Sequence, residues 1–343
     1  VQRRCGFLLG LLWLGIVCLG ASAFAGGGTK LRVGYFPNIT HAQAVLGMAD
    51  GTFQKALGDE AVIEQYVFNA GPSVIEAMMS GNLDLAYIGP NPAVNGYLKT
   101  DGILLRIIAG AASGGAALVL RSDLGVKRPA ELTGKRLASP QLGNTQDVSL
   151  RFYLLKHRLK LKEKGGTVEV IPVANPDQLT LFRKKEIDGA WTVEPWVSRL
   201  VSEAGGTVFL DERSIWPKGK FVTANIIVSA KFLKEHPDLV KKWLRAHVRL
   251  TQRINAAPLR AQRELNQELK NITGQALPEE ILRQAFTRFE LTYDPLPKTL
   301  IAAANSAFEL GFLGKKRPDL RHIYDLTLLN QVLQEQKLPR IRP

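Results

Sequence analysis

The chain has 343 residues, 45 Lys and Arg against 31 Asp and Glu, and 45% hydrophobic residues. At roughly 100–200 residues per domain this is a two-domain length, and the high apolar content without polar low-complexity tracts excludes a disordered chain. One long apolar run, at the N-terminus, excludes a polytopic membrane protein. Two cysteines, Cys5 and Cys18, are too few for a disulfide scaffold. The formal charge of +14 rests largely on Lys and Arg at helical spacing, as in Lys231–Arg253 and Arg260–Lys270, which reads as solvated helix faces. No zinc-finger, helix-turn-helix or RNA-binding signature accompanies them, so no nucleic-acid partner is expected.

The first 25 residues combine Arg3-Arg4, an apolar stretch from Phe7 to Leu19, and small residues ending in Ala23-Phe24-Ala25. That is the pattern of a cleaved secretory signal peptide over residues 1–25. Its removal takes away both cysteines and places the mature protein in the periplasm.

Lys30–Tyr35 reads as a short strand. Thr40, followed three residues later by Gln43, forms a capping-box pattern, which predicts a helix from Thr40. A strand at Ala61–Phe68 precedes a helix opened by Gly71-Pro72 and stopped at Gly81. Leu83–Ile88 reads as a buried strand, and Asn91-Pro92 opens the next helix with Asn as cap. Leu104–Ala109 and Ala116–Leu120 are further strands. The grammar then restarts: strand Arg136–Ala138, helix Thr145–Leu159, strand Val168–Pro172, a helix opened by Asn175-Pro176, strand Ile187–Thr192, and a helix opened by Glu194-Pro195. Strands at Thr207–Leu210 and Ala224–Val228 follow, and beyond Ala230 the pattern is nearly all helical. This alternation predicts an α/β fold with parallel or mixed sheets. The series Gly71-Pro72, Gly81–Tyr87, Asn91-Pro92 is echoed by Asn175-Pro176, Lys185–Trp191, Glu194-Pro195 at offsets of 104, 104 and 103 residues. Two similar lobes are expected, with 26–118 plus 224–343 as lobe one and 119–223 as lobe two.

Catalytic motifs are missing. There is no G-x-S-x-G, G-x-G-x-x-G, P-loop or H-E-x-x-H pattern, and the five histidines have no metal-ligand spacing. No enzyme activity, cofactor or metal is expected. The sequence does offer several helix starts directly after strands, at Thr40, Gly71, Asn91, Gly143-Asn144-Thr145 and Glu194. A helix start presents free N–H groups and partial positive charge, so converging starts form an anion site without charged side chains. In α/β sheets such loops lie at the carboxyl ends of strands, where ligands bind.

Three segments, Gly34–Ala44 (GYFPNITHAQA), Ala77–Pro92 (AMMSGNLDLAYIGPNP) and Ala190–Trp196 (AWTVEPW), resemble motifs of the nitrate/sulfonate/taurine class of ABC-transporter substrate-binding proteins. The resemblance implies the type II periplasmic binding protein fold, two α/β lobes with a ligand cleft between them. It implies an exported monomer that delivers a small organic anion to a membrane permease. An aliphatic sulfonate is favoured; related members take nitrate, taurine, bicarbonate or pyrimidine precursors, and a pyrimidine-precursor synthase shares the fold.

On these turns the expected ligand-binding residues are Phe36, Pro37, Thr40, His41, Asn91, Asn144, Thr145 and Glu194. Phe36 and Pro37 would form an apolar wall. Thr40 and His41 would present a hydroxyl, an imidazole and a backbone N–H, and Asn144 and Thr145 the anion donors of the second lobe. Asn91 would cap its helix and contact the ligand. Glu194 in an anion cleft is unfavourable unless it meets a ligand cation or hydroxyl, or is neutralised by a protein base that serves closure. Trp191 and Trp196 read as core residues.

Overall fold

The computed structural model describes residues 28–342, so the expected signal peptide lies outside the described residues. The strands are β1 (Thr29–Tyr35), β2 (Ala61–Val67), β3 (Leu85–Ile88), β4 (Leu105–Gly114), β5 (Ala116–Arg121), β6 (Arg136–Ser139), β7 (Glu169–Pro172), β8 (Gly189–Val193), β9 (Gly206–Asp211), β10 (Val222–Ser229) and β11 (Phe289–Leu291). The helices before β5 are α1 (Ala42–Ala49), α2 (Thr52–Leu57), α3 (Gly71–Met79) and α4 (Pro90–Lys99). Three lie between β6 and β9: α5 (Thr145–Lys156), α6 (Asn175–Arg183) and α7 (Trp196–Ala204). The remainder are α8 (Ala230–Glu235), α9 (Pro237–Ala256), α10 (Pro258–Thr273), α11 (Glu279–Ala285), α12 (Pro297–Glu309) and α13 (Thr327–Glu335). Among the described residues no helix is long and apolar enough to cross a membrane.

The strands form two sheets, ordered β11-β4-β10-β3-β1-β2 and β7-β6-β8-β5-β9. Apart from the edge strand β11, the two share one plan. In each, two parallel pairs (β2-β1-β3, β7-β6-β8) are followed by two antiparallel ones (β3-β10-β4, β8-β5-β9). The echo in the sequence is the echo in the sheets. Val33 faces Leu85 and Gly34 faces Ala86 in the first, and Leu137 faces Gly189 and Ala138 faces Ala190 in the second, all four positions shifted by 104 residues. A matching lock fixes both registers. Asp84 Oδ2 accepts from Arg32 N at 2.9 Å, and Asp188 Oδ2 accepts from Arg136 N at 2.7 Å. The same arginines reach the carbonyls of Gly81 and Lys185, which end the preceding helices at positive φ, +72° and +59°.

Each sheet is covered on both faces, as crossover connections require. In lobe one, α1, α2, α9, α10 and α13 bury one face around Val33, Tyr87 and Ile226, with Phe53 stacked on Trp243 at 3.7 Å between ring centroids. Helices α3, α4 and α12 bury the other around Ile88, Ile107 and Ile227. In lobe two, α5 covers one face with Leu150 and Leu154 packed on Leu137 and Trp191, and α6 and α7 cover the other with Phe182, Val197 and Leu200. Trp191 is core, as expected.

The chain crosses between sheets at Gly114-Gly115 and returns between β9 and β10. Strand membership therefore changes at Gly115, and β5 lies wholly in the second sheet, whereas the expected boundary at 118/119 cuts it. Both glycines have positive φ, +81° and +82°, and a Cβ at Gly114 would lie 2.8 Å from Arg288 O. A side chain at that crossing is excluded by conformation and by space.

Candidate ligand-binding site

The carboxyl ends of all six parallel strands meet at one small cavity. Lobe one contributes Phe36, Asn38, Thr40 and His41 after β1, Asn69 after β2, Gly89 after β3, and Thr223 from β10. Lobe two contributes Pro140, Asn144, Thr145 and Gln146 after β6, Asn175 after β7, and Val193 at the end of β8. None of these side chains is a Lys, Arg, Asp or Glu. The free space is ≈ 20 Å³, about enough for one water.

On the second-lobe side the donor is a helix start held from below. Asn144 Oδ1 caps α5 by accepting from Gln146 N at 3.1 Å. Asp147, in the first turn of α5, accepts from Ser139 Oγ at 2.7 Å and from Gly143 N at 2.9 Å, which ties the loop after β6 to the helix. Arg151 neutralises this buried acid at 2.9 Å. Thr145 then stands at the mouth of α5 with its Oγ1 buried and without a hydrogen-bond partner among the described residues. Leaving a buried hydroxyl unpaired costs about 1–3 kcal/mol, so this atom is the one most in need of a ligand. It can stand there because Gly89 of lobe one has no side chain; a Cβ at Gly89 would lie 2.3 Å from Thr145 Oγ1.

On the first-lobe side the capping box does not form. Ile39–His41 is a 3-10 turn, and α1 begins only at Ala42. Gln43 is diverted to Ala111 O at 2.9 Å and Thr251 Oγ1 at 3.2 Å, partners far away in sequence. His41 stacks on Phe36 at 4.5 Å, and its Nδ1 accepts from Phe36 N at 3.2 Å. With Nδ1 an acceptor, the ring proton sits on Nε2. Burial pushes the His41 pKa down to about 3, so the imidazole is a neutral donor.

Of the eight expected residues, Phe36, Thr40, His41, Asn144 and Thr145 line this cavity and Pro37, Asn91 and Glu194 do not. Pro37 is half-buried beside it. Asn91 is not a cap, because α4 starts at Pro90 with Gly89 before it; its Nδ2 donates to Ala303 O at 3.2 Å, in a neighbouring cavity. Glu194 is fully buried outside the lining, and α7 starts two residues later. Its carboxylate accepts from Ser198 N at 3.1 Å, Ser198 Oγ at 3.0 Å and Arg288 of lobe one at 3.0 Å. Burial pushes the Glu194 carboxyl up, against the pull of Arg288 and Ser198. The protein base, not a ligand cation, is what Glu194 meets. Sequence reasoning left out Asn38, Asn69, Gly89, Pro140, Gln146, Asn175, Val193 and Thr223. Asn175 was within reach, since it sits 104 residues after Gly71 at the same kind of helix start.

Trp196 Nε1 donates to Asn38 Oδ1 at 3.2 Å, a direct bond between the lobes. Among the described residues no group of three or more His, Cys, Asp or Glu side chains is placed to hold a metal ion.

Comparison with known proteins agrees with this architecture. The chain belongs to the NMT1-like family, which matches residues 25–268. It is 26% identical over 243 residues to the taurine-binding periplasmic protein of Escherichia coli, covering 71% of this chain and 72% of that protein. Two examples stand among the solved structures that share the fold. A periplasmic nitrate-binding protein from Synechocystis superposes with a TM-score of 0.75 at 16% identity, covering 91% of this chain and 90% of that one. An alkanesulfonate-binding protein from Xanthomonas axonopodis superposes with a TM-score of 0.70 at 18% identity, covering 85% and 96%. The expected two-lobe periplasmic binding protein fold and family type are thus borne out.

Proposed function

We propose that this protein is the exported solute-binding component of an ABC importer, taking up a small organic anion, an aliphatic sulfonate first, and passing it to a membrane permease. The observation that carries the reading is Thr145. Its buried, unpartnered hydroxyl stands at the start of a capped helix, in an inter-lobe cavity without charged side chains. Such a site suits an anion, which the helix terminus and neutral donors stabilise without a counter-ion. It has no nucleophile–base pair: no base contacts Thr145 Oγ1, and His41 Nδ1 is engaged by Phe36 N. Capture without chemistry follows. The taurine-binding relative supports the ligand class.

A compact inorganic anion, nitrate or bicarbonate, is the second reading, favoured by the ≈ 20 Å³ of free space. Calorimetric titration with ethanesulfonate, taurine, nitrate and bicarbonate separates the two. Because a hydrogen bond to an ionised group contributes about 1.5–3 kcal/mol, Thr145→Ala should weaken the true ligand roughly tenfold or more. Unchanged affinity in that variant would place the ligand elsewhere.

A further inference from the structure

A groove separate from the inter-lobe cavity is strongly charged. It lies where the chain re-enters lobe one, between the connection from β9 to β10, the loop before α12 and the segment after α13. Its free volume of ≈ 670 Å³ falls in the size range of small-molecule sites, about 300–1,000 Å³, and it shares no lining residue with the cavity at Thr145. Five cationic side chains line it, Lys218, Lys220, Lys298, Arg340 and Arg342, against one carboxylate, Asp294. Lys220 pairs with Glu290 at 3.0 Å; the other four have no ion-pair partner among the described residues. Like charges gathered without counter-ions repel one another, and an anion entering between them relieves that repulsion. The remaining wall is apolar, with Trp216, Tyr293, Leu296 and Ile341 half-buried along it.

Hydrogen bonds fix all three segments. Asn330 of α13 grips Ile341 at both ends: its Nδ2 donates to Ile341 O at 2.9 Å and its Oδ1 accepts from Ile341 N at 2.8 Å. That pins the segment between its two arginines. Asp294 is committed to its own loop, where Oδ1 accepts from Leu296 N at 2.9 Å. Thr299 Oγ1 donates to Leu296 O at 2.9 Å and accepts from Val222 N at 3.0 Å, which ties the loop to β10. Trp216 stacks on Phe221 at 5.6 Å between ring centroids, and its Nε1 donates to Glu212 Oε1 at 3.3 Å. Lys218 and Leu296 hold positive φ, +55° and +47°, a conformation that residues other than glycine keep only where their surroundings impose it.

We infer that this groove is a second ligand site, for an organic polyanion with an aromatic body. Its acid groups meet Lys218, Lys298 and Arg340, and its ring lies against Trp216 and Tyr293. The two sites thereby divide anions by charge. The cavity at Thr145, small and without a charged side chain, suits a single charge, whereas the groove is matched to two or more. Titration calorimetry at low salt with benzene-1,3,5-tricarboxylate, benzoate and propane-1,2,3-tricarboxylate is the test. The aromatic trianion should bind roughly tenfold or more tighter than benzoate, and roughly threefold or more tighter than the trianion without a ring. Lys298→Gln combined with Arg340→Gln, both exposed positions, should weaken it roughly tenfold or more. Lys231→Gln combined with Lys234→Gln removes the same charge from exposed positions on α8 and should change it by less than about twofold. Equal loss in the two double variants would reduce the effect to overall charge and overturn the site. No gain over benzoate, or equal affinity for the two trianions, overturns the ligand class, and no binding of the aromatic trianion overturns both. None of these outcomes bears on capture of ethanesulfonate at Thr145, which is tested separately.

Discussion

The two halves of the inter-lobe cavity occupy equivalent places in two equivalent sheets, and they differ in chemistry. Phe36, Thr40, His41 and Gly89 of lobe one stand 104 residues before Pro140, Asn144, Thr145 and Val193 of lobe two. The backbone solution repeats down to the Arg32–Asp84 and Arg136–Asp188 locks. The side chains on it diverge. Lobe two offers a capped helix start and an unpaired hydroxyl, whereas lobe one offers a neutral imidazole braced on a phenyl ring, and a glycine that makes room for that hydroxyl. A repeated scaffold thus supplies a place for each donor, and divergence between the copies makes the two places complementary.

The largest expected effect separates the lobes by acid. Lobe one buries His41 and His247, whose pKa values burial lowers to about 3 and about 4, whereas the histidine of lobe two, His157, is exposed. Between pH 6.5 and 4 the unfolded chain binds protons at these two sites and the folded chain does not, so stability rises with pH there and is lost on acidification. The loss should reach roughly 3 kcal/mol or more by pH 4, with amide exchange rising in β1, β3 and β10 before β6 and β8. Simultaneous opening of both sheets would mean that the lobes do not differ in this way.

Next in size is Gly89→Ala. At φ −70° alanine fits the backbone, and the clash arises only against Thr145 across the cleft. Overpacking of this kind costs about 1–3 kcal/mol; parting of the lobes would relieve it at the expense of the closed cavity, so ligand affinity should fall roughly ten- to a hundredfold while the ligand-free melting temperature holds. A matching fall in melting temperature would assign Gly89 to the core of lobe one. The neutral His41 makes a smaller claim: from pH 8 to 5, sulfonate affinity should vary by less than about threefold. A tenfold rise toward pH 5 in titration calorimetry would reveal an imidazolium donor. Smallest is Lys185→Gly. Lys185 holds φ +59° where its counterpart is Gly81, and relieving a left-handed residue should add about 0.5 kcal/mol in urea titration. A loss of stability would show that the Lys185 side chain, paired with Asp123 at 2.8 Å, outweighs the strain.

Much of the fold was legible because its signals are local. Short apolar runs and the Gly71-Pro72 and Asn175-Pro176 openings placed the strands and helices within a few residues, and the 104-residue echo proved to be the sheet register. The lining of the candidate site was legible where the backbone makes it, at Asn144-Thr145, and illegible where distant partners intervene. Gln43 abandons its capping box for Thr251, Asn91 turns to Ala303, and Glu194 to Arg288. Nothing in a local window announces those contacts. The three-residue strand β11 escaped for the same reason, since only its pairing with β4 makes it a strand.

Interleaving of the two sheets along the chain sets which of them can be completed first as the chain folds. All five strands of lobe two lie in one stretch, 116–211, so that sheet can close without any later segment. Lobe one is made first and finished last. Its β4 takes all its partners among the described residues from later in the chain, strands β10 and β11 and a bridge from Ile107 to Tyr324, and without residues 222–229 both β3 and β4 present open edges. A chain in which only residues up to 211 have folded therefore carries an unfinished, apolar half-sheet beside a finished one, and that half-sheet is the part exposed to aggregation or to a holding chaperone.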